Sequence, residues 1–330
     1  MSKRARVSLP AADPARLERA SLLAEDAPLP ARVGHVEFGT AGWTDRTLIE
    51  SGSFYPKRAS SPEARLRHYA AHFPFVEVDA TYYSLLPPEL SARWLSITPP
   101  EFGFNVKAFP ALTGHPIDVR RLPSDLRQAF VAAGFEARTY AERLPAELRR
   151  EVVRRFSAFL EPLQGAGRLR AVLLQFPPWF TATRGNVRRL SALRAEHAEL
   201  PLAVEFRHPS WLEESRRARV FETLRAENLS YVSVDEVGMP LLAESTTQSL
   251  ALARFHGKNQ STWSKKGASV QERFDYLYDP AELGAWVEPI RRLADRAERV
   301  QVIFNNCVRN YAVLGAKDLA VLLTAPRATP

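Results

Sequence analysis

Short runs of β-branched and aromatic residues alternate along this chain with helical stretches that carry an apolar residue every three or four positions, and this alternation restricts the fold more than any other feature. Eight such runs can be read: EFGTAG (37–42), FVEVDA (75–80), GFNVKA (103–108), RAVLLQF (170–176), PLAVEFR (201–207), SYVSVD (230–235), LALARFHG (250–257) and RVQVIFNN (299–306). Between and after them stand helix candidates: SPEARLRHYAAHF, PPELSARWLSIT, PAELRREVVRRFSAFLEPL, NVRRLSALRAEH, WLEESRRARVFETLRAEN, PAELGAWVEPIRRLADRA and NYAVLGAKDLAVLL. Several open with Pro or a capping residue, as helix starts do. Only the sixth connection, EVGMPLLAESTTQS, lacks a helix. Eight strands alternating with helices in a chain of 330 residues have the size and rhythm of an α/β TIM (β/α)8 barrel. An open doubly wound sheet is the runner-up. Against it, GTAGW (39–43) is not a G-x-G-x-x-G turn and no P-loop occurs.

A single barrel domain is expected over 34–325, with 1–33 as a poorly ordered tail rich in Ala, Pro and Arg. The tail has no apolar run of signal-peptide length, and no segment offers the roughly 18 consecutive apolar residues of a membrane span. The single cysteine, Cys307, excludes an internal disulfide framework and an all-cysteine metal site, and suits a reducing cytoplasm. The connection 109–169 is longer than a barrel needs; its first half, with LTGHP and RRLPSDLRQAFVAAG, is expected over the barrel mouth as a lid or wall. A net charge of +8 permits contact with nucleic acid, phosphorylated ligands or acidic surfaces. The basic residues are mostly Arg scattered along helices rich in Ala and Glu, which reads as solvated helix faces. Nothing in the sequence sets the oligomeric state.

The carboxyl ends of barrel strands line the mouth, so chemistry is sought there. In order they offer Trp43, Glu77 and Asp79, Asn105 and Lys107, Gln175, Glu205 and Arg207, Ser233 and Asp235, Arg254 and His256, and Asn305 with Asn306. Pairs two residues apart share a face. Signs on neighbouring strands are complementary: Asp79 can meet Lys107, and Arg254 lies two strands from Glu205 with Asp235 between. One reading is a satisfied ion-pair network closing the core; the other is a site, favoured because polar groups converge from every strand after the first.

As a site, Glu205 and Asp235 are the acid/base candidates, since crowded carboxylates in a partly dry mouth raise one pKa. Lys107, Arg207 and Arg254 would bind an anionic group. His115, His208 and His256 can carry protons, although His208 before Pro209 can equally cap backbone groups at its turn. A divalent metal could draw on Glu77, Asp79, Glu205, Asp235, His208 and His256, but no compact spacing such as H-E-x-x-H supports one. No G-x-S-x-G marks a serine nucleophile. Trp43, Phe54 and Tyr55, Tyr82 and Tyr83, Phe109, Trp179 and Phe180, Trp211 and Trp263 fall at strand ends or just beyond, as a rim able to stack a flat ligand or to pack loops on one another.

GTAGW (39–43), FYP (54–56), FVEVDATYY (75–83), FNVKAFPALTGH (104–115), LLQFPPWF (173–180), VEFRHPSW (204–211), RFHGKN (254–259) and VIFNN (302–306) together resemble the ordered motifs of the DUF72, or YecE-like, family. The resemblance implies a TIM barrel and supplies no reaction. It carries over Glu77, Lys107, His115, Gln175, Glu205, Arg207, Trp211, Arg254, His256, Gly257, Asn305 and Asn306. Past the double Asn this chain departs from the pattern, with Asn310 and Gly315-Ala316 where a Gly and a later Asn-Ala are expected. The function expected is hydrolase-type chemistry on an anionic, phosphate-bearing substrate. The alternatives are a non-catalytic module that holds a nucleotide, nucleic acid or metabolite, and a metal-assisted nuclease.

Overall fold

A computed structural model describes residues 31–327 apart from 264 and 266, so most of the expected tail lies outside the described residues. All eight strands are present: β1 (Val36–Thr40), β2 (Phe75–Val78), β3 (Gly103–Lys107), β4 (Leu169–Gln175), β5 (Leu202–Glu205), β6 (Ser230–Glu236), β7 (Ala251–Gly257) and β8 (Val300–Phe304). They pair in parallel in the order β1, β8, β7, β6, β5, β4, β3, β2, and Arg32–Val33 adds a ninth, antiparallel strand beside β1. The helices follow the expected segments, among them Pro62–Ala70, Pro88–Ile97, Ala146–Gly165, Arg184–Glu196, Glu214–Ala226, Val287–Ala294 and Tyr311–Thr324. Residues 237–250 form no helix, as expected. Thr246 Oγ1 pins that loop by accepting from Tyr231 N (2.7 Å) and donating to Leu229 O (2.6 Å).

The curled sheet is TIM-barrel-like, and its two ends meet by an unusual seam. Ala41 bridges Glu77, and Gly42 N–H donates to Glu77 O at 2.8 Å. One turn below, the hydroxyl of Tyr69 stands in for ladder bonds: it accepts from Thr40 N (2.8 Å) and donates to Phe75 O (3.2 Å). The strands crowd there because β1 carries Gly39, where an added Cβ would lie 2.9 Å from Phe75 O.

Strand alternation divides the core in two. Ala41, Phe75, Ala171, Leu173, Ala203, Val232, Val234, Leu252 and Ile303 fill the inside of the sheet. The other faces of the strands, including Phe38, Val76, Phe104, Val204 and Phe255, pack under the helices. After β3 the long connection builds a small antiparallel pair, Ile117–Asp118 with Arg138–Thr139, and the helix Ser124–Ala132. An Arg155–Asp125 ion pair ties that helix to Ala146–Gly165. The insertion walls the β2 to β4 side of the mouth: Ser84 Oγ donates to Arg121 O (3.2 Å), and the His115 ring meets Tyr82 and Trp179.

Replacing Tyr69 with Phe should remove about 1–3 kcal/mol of stability, because Thr40 N–H and Phe75 C=O lose a shared partner at a buried seam. Urea denaturation measures it, and an unchanged midpoint would show that the seam does not depend on the hydroxyl.

Candidate functional site

Above the apolar filling the inward positions become ionic. Arg254 on β7 is completely buried; its Nη2 donates to Glu77 Oε1 on β2 at 2.5 Å and its Nη1 to Glu205 Oε2 on β5. The guanidinium therefore links strands that are not neighbours, across the inside of the barrel. Burial opposes its charge, but the Glu205 and Glu77 carboxylates outweigh burial and hold its pKa above the ordinary value. Glu205 sits well below the usual carboxylate range: burial would raise it, and Arg254 and then His256 overcome that. Glu77, which shares Arg254 but also faces Asp79, is pushed by burial up to about 7.

A second set of contacts spreads from Glu205. Its Oε1 accepts from Gln175 Nε2 (2.6 Å) and Arg207 Nη1 (3.1 Å), and lies 3.1 Å from His256 Nε2. Asn305 Nδ2 donates to His256 Nδ1 at 2.9 Å, which leaves the imidazole proton on Nε2, facing Glu205. Burial lowers the His256 pKa to about 3 against the pull of Glu205, so the ring is neutral. Arg207 Nη1 also lies 2.9 Å from Glu236 Oε2, whose carboxyl is pushed by burial up to about 7 despite Arg207.

Over this layer opens a cleft of about 610 Å³ whose floor is Lys107, Gln175, Arg207 and Asn305, with Asp79 at the side and Trp43, Tyr83 and Trp94 as aromatic wall. Lys107 stands apart from the other cations. Its ammonium lies 4.5 Å over the Tyr82 ring, with no carboxylate within 4.0 Å among the described residues. Burial lowers its pKa although Asp79 pulls the other way. Asp79 Oδ1 is itself buried without a hydrogen-bond partner.

The comparisons with known proteins bear on the whole assembly. A family model described as protein of unknown function DUF72 matches residues 37–330. The chain belongs to the DUF72 family. It is similar to the UPF0759 protein YunF of Bacillus subtilis, 29% identical over 296 residues, covering 87% of this chain and 94% of that protein. A DUF72 structure from Thermotoga maritima aligns with TM-score 0.66 and 31% identity over 88% of this chain and 99% of its own. One from Enterococcus faecalis aligns with TM-score 0.70 and 25% identity, covering 89% and 97%.

Within this DUF72 fold, Glu77, Lys107, Gln175, Glu205, Arg207, Arg254, His256 and Asn305 converge at the mouth as expected, with Asp79 and Trp43 on the cleft and Tyr82 beneath Lys107. His115 lies beside them, bonded to Thr113 Oγ1 at 2.9 Å; burial, then Lys107 and Arg207, lower its pKa to about 4.

Six expectations change. Asp235 faces outward: it accepts from Trp286 Nε1 (3.1 Å) and pairs with Lys258 (3.0 Å), behind β6 and away from Glu205. His208 caps its own turn, Nδ1 accepting from Ser210 N at 3.2 Å. Trp211 is buried under Phe206 and Phe180, with Nε1 donating to Phe180 O, and Asn306 donates to Tyr276 O, so both serve packing. Asp79 and Lys107 form no direct ion pair. Arg254 commits both terminal nitrogens to carboxylates and is fully buried, so it offers no free fork to a ligand, although its Nε has no hydrogen-bond partner. The residue missed is Glu236, which follows Val232 and Val234 on the inner face of β6; extending the SYVSVD run by one position would have found it.

Arg254→Met should cost about 3–5 kcal/mol, because it leaves two carboxylates buried without their cation. Glu77→Gln in that background should recover part of the loss; equal loss in the single and double variants, by chemical denaturation, would contradict the layer described. The two neutral imidazoles must each gain a proton when the chain unfolds below pH 6.5, so their contribution to stability falls as pH drops from 6.5 toward 4, while the raised Glu77 and Glu236 carboxyls act in the opposite sense. Relative to the wild type, His115→Gln should therefore gain stability as pH drops over that range in thermal melts. A slope unchanged by the substitution would show that His115 is not held neutral.

Proposed function

We propose that the cleft is the active site of a hydrolase-type enzyme acting on a small anionic, phosphate-bearing substrate. The observation that carries this reading is Lys107, a partly desolvated ammonium at the cleft floor with an aromatic ring beneath it and, among the described residues, no carboxylate in contact. Desolvating a charge without a partner is costly, and an anion seated above Lys107 would offset that cost. Arg207, with its side chain 17% exposed, reaches the same floor and supplies a second cationic group as negative charge develops. Gln175 and Asn305 add amide groups.

With Asp235 outside and Glu205 locked by Arg254, and with the other cleft carboxylates Asp45 and Glu63 engaged in a helix cap and an ion pair with Arg93, the base falls to Asp79, which lines the cleft with Lys107. Its carboxylate would take a proton from an attacking water, and Glu77, two positions away on the same side, shares the charge. Trp43, Trp94 and Tyr83 give one wall of flat apolar surface for the rest of the substrate. The small-molecule reading is favoured over nucleic acid by the state of the outer arginines. Arg150, Arg154, Arg216 and Arg217 each pair with a Glu three residues earlier on the chain, so they form no free basic stripe.

Titration calorimetry with inorganic phosphate and a panel of phosphomonoesters tests this. Lys107→Met should weaken binding by about tenfold or more, as loss of a charge-assisted contact implies. Asp79→Asn should keep binding and lose turnover of any ester the wild type hydrolyses. Binding undiminished in Lys107→Met would contradict the assignment.

A further inference from the structure

Below the cleft floor the nitrogen of one side chain occupies a position that fits a metal ion. Glu205 Oε1, Glu236 Oε2 and His256 Nε2 come from three adjacent strands, β5, β6 and β7, and donor atoms of these three buried residues lie within 4.8 Å of one another. At their centre is Arg207 Nη1, 3.1 Å from the first, 2.9 Å from the second and 3.2 Å from the third. With the imidazole proton on Nε2, the contact with His256 sets two N–H groups against each other, so Arg207 fits the nest poorly. Glu236 Oε2 is also left short: the residue is 8% exposed and this oxygen, aimed into the nest, has no hydrogen bond despite the nearby guanidinium.

We infer that Glu205, Glu236 and His256 form a divalent-cation site, and that Arg207 holds the place of the cation until it swings into the cleft. The donor set suits a first-row ion such as Mn²⁺: two carboxylates and an imidazole, bound at about 2.1 Å. Two of the three ligands already have the outer partners that metal ligands use. Arg254 and Gln175 fix the Glu205 carboxylate, and Asn305 fixes the His256 ring. Entry of the ion needs the imidazole proton on Nδ1 rather than Nε2, and Asn305 accommodates that by turning its amide so that the carbonyl oxygen accepts. Arg207 has somewhere to go, since its guanidinium lies 5.7 Å from the Trp263 ring and its side chain already borders the cleft. A bound anion would draw it the same way, which couples the two sites with one sign: filling the cleft favours filling the nest. The metal site itself does not rest on the anion reading.

The test is Mn²⁺ alone, titrated into the chelator-stripped full chain, with free Mn²⁺ read by electron paramagnetic resonance. One ion per chain is expected. Arg207→Met should bind Mn²⁺ about tenfold more tightly and Glu236→Gln at least tenfold more weakly, the range that loss of a ligand or competitor produces. Circular dichroism melts confirm that each variant is folded, and Arg207→Gln serves the same comparison if the Met variant is not. The inference is overturned if Arg207 variants bind no more tightly than wild type, if Glu236→Gln binds undiminished, or if no Mn²⁺ binds in any of them. Phosphate affinity measured on the same variants reports separately on Lys107 and the cleft.

Discussion

A guanidinium cannot lie inside a curled, TIM-barrel-like sheet unless the sheet supplies its counter-charge, and Arg254 is placed there with no exposure to solvent. Taking one such ion out of water costs several kcal/mol even after relaxation, so its two carboxylate partners are obligatory. Glu77 and Glu205 meet that requirement from opposite sides, and in doing so they fix what stands above them. Glu205 has one oxygen on Arg254 and turns the other to Gln175, Arg207 and His256; His256 in turn presents Nδ1 to Asn305. The polar face of the mouth is thus a chain of dependencies that runs from one buried charge to the cleft floor. Remove the charge and each later orientation loses its reason.

That arrangement also explains why the cations at the mouth differ in what they can do. Arg254 is neutralised twice and has a structural task. Arg207 is shared between the Glu205 and Glu236 carboxylates and partly exposed, which makes it the movable member. Lys107 is partly buried but not neutralised, and its position over Tyr82 supplies only the weaker attraction of a ring face. Three cations of one layer therefore serve as anchor, movable group and ligand seat: Arg254 and Arg207 each touch two carboxylates and differ in exposure, and Lys107 touches none among the described residues.

The fold was largely legible in the sequence because the signals that define it are local. Alternation within five or six residues marked every strand, and the absence of helical spacing in EVGMPLLAESTTQS marked the bare sixth connection. The spacing of two along β2, β3, β5 and β7 also placed Glu77 with Asp79, Asn105 with Lys107, Glu205 with Arg207 and Arg254 with His256 on inner faces. It failed on β6, where the phase depends on which residue ends the strand: Glu236, not Asp235, continues the face of Val232 and Val234. A shift in register beside it, between Phe255 and Gly257, sets Gly257 opposite Glu236 and could not be read from either strand alone. His208, Trp211 and Asn306 lie past their strands, where alternation no longer applies. The Tyr69 seam joins β1 to β2 through a helix residue, a tertiary contact with no local signature.

The claim on which this account turns is that Lys107 is an anion seat in a polar mouth ordered from Arg254. Crystals soaked in tungstate, a heavy phosphate mimic, test it most directly through anomalous diffraction. The account predicts a tungstate peak in the cleft within hydrogen-bond distance of Lys107 Nζ. Peaks confined to the arginines of the outer helices, with the cleft empty, would contradict it.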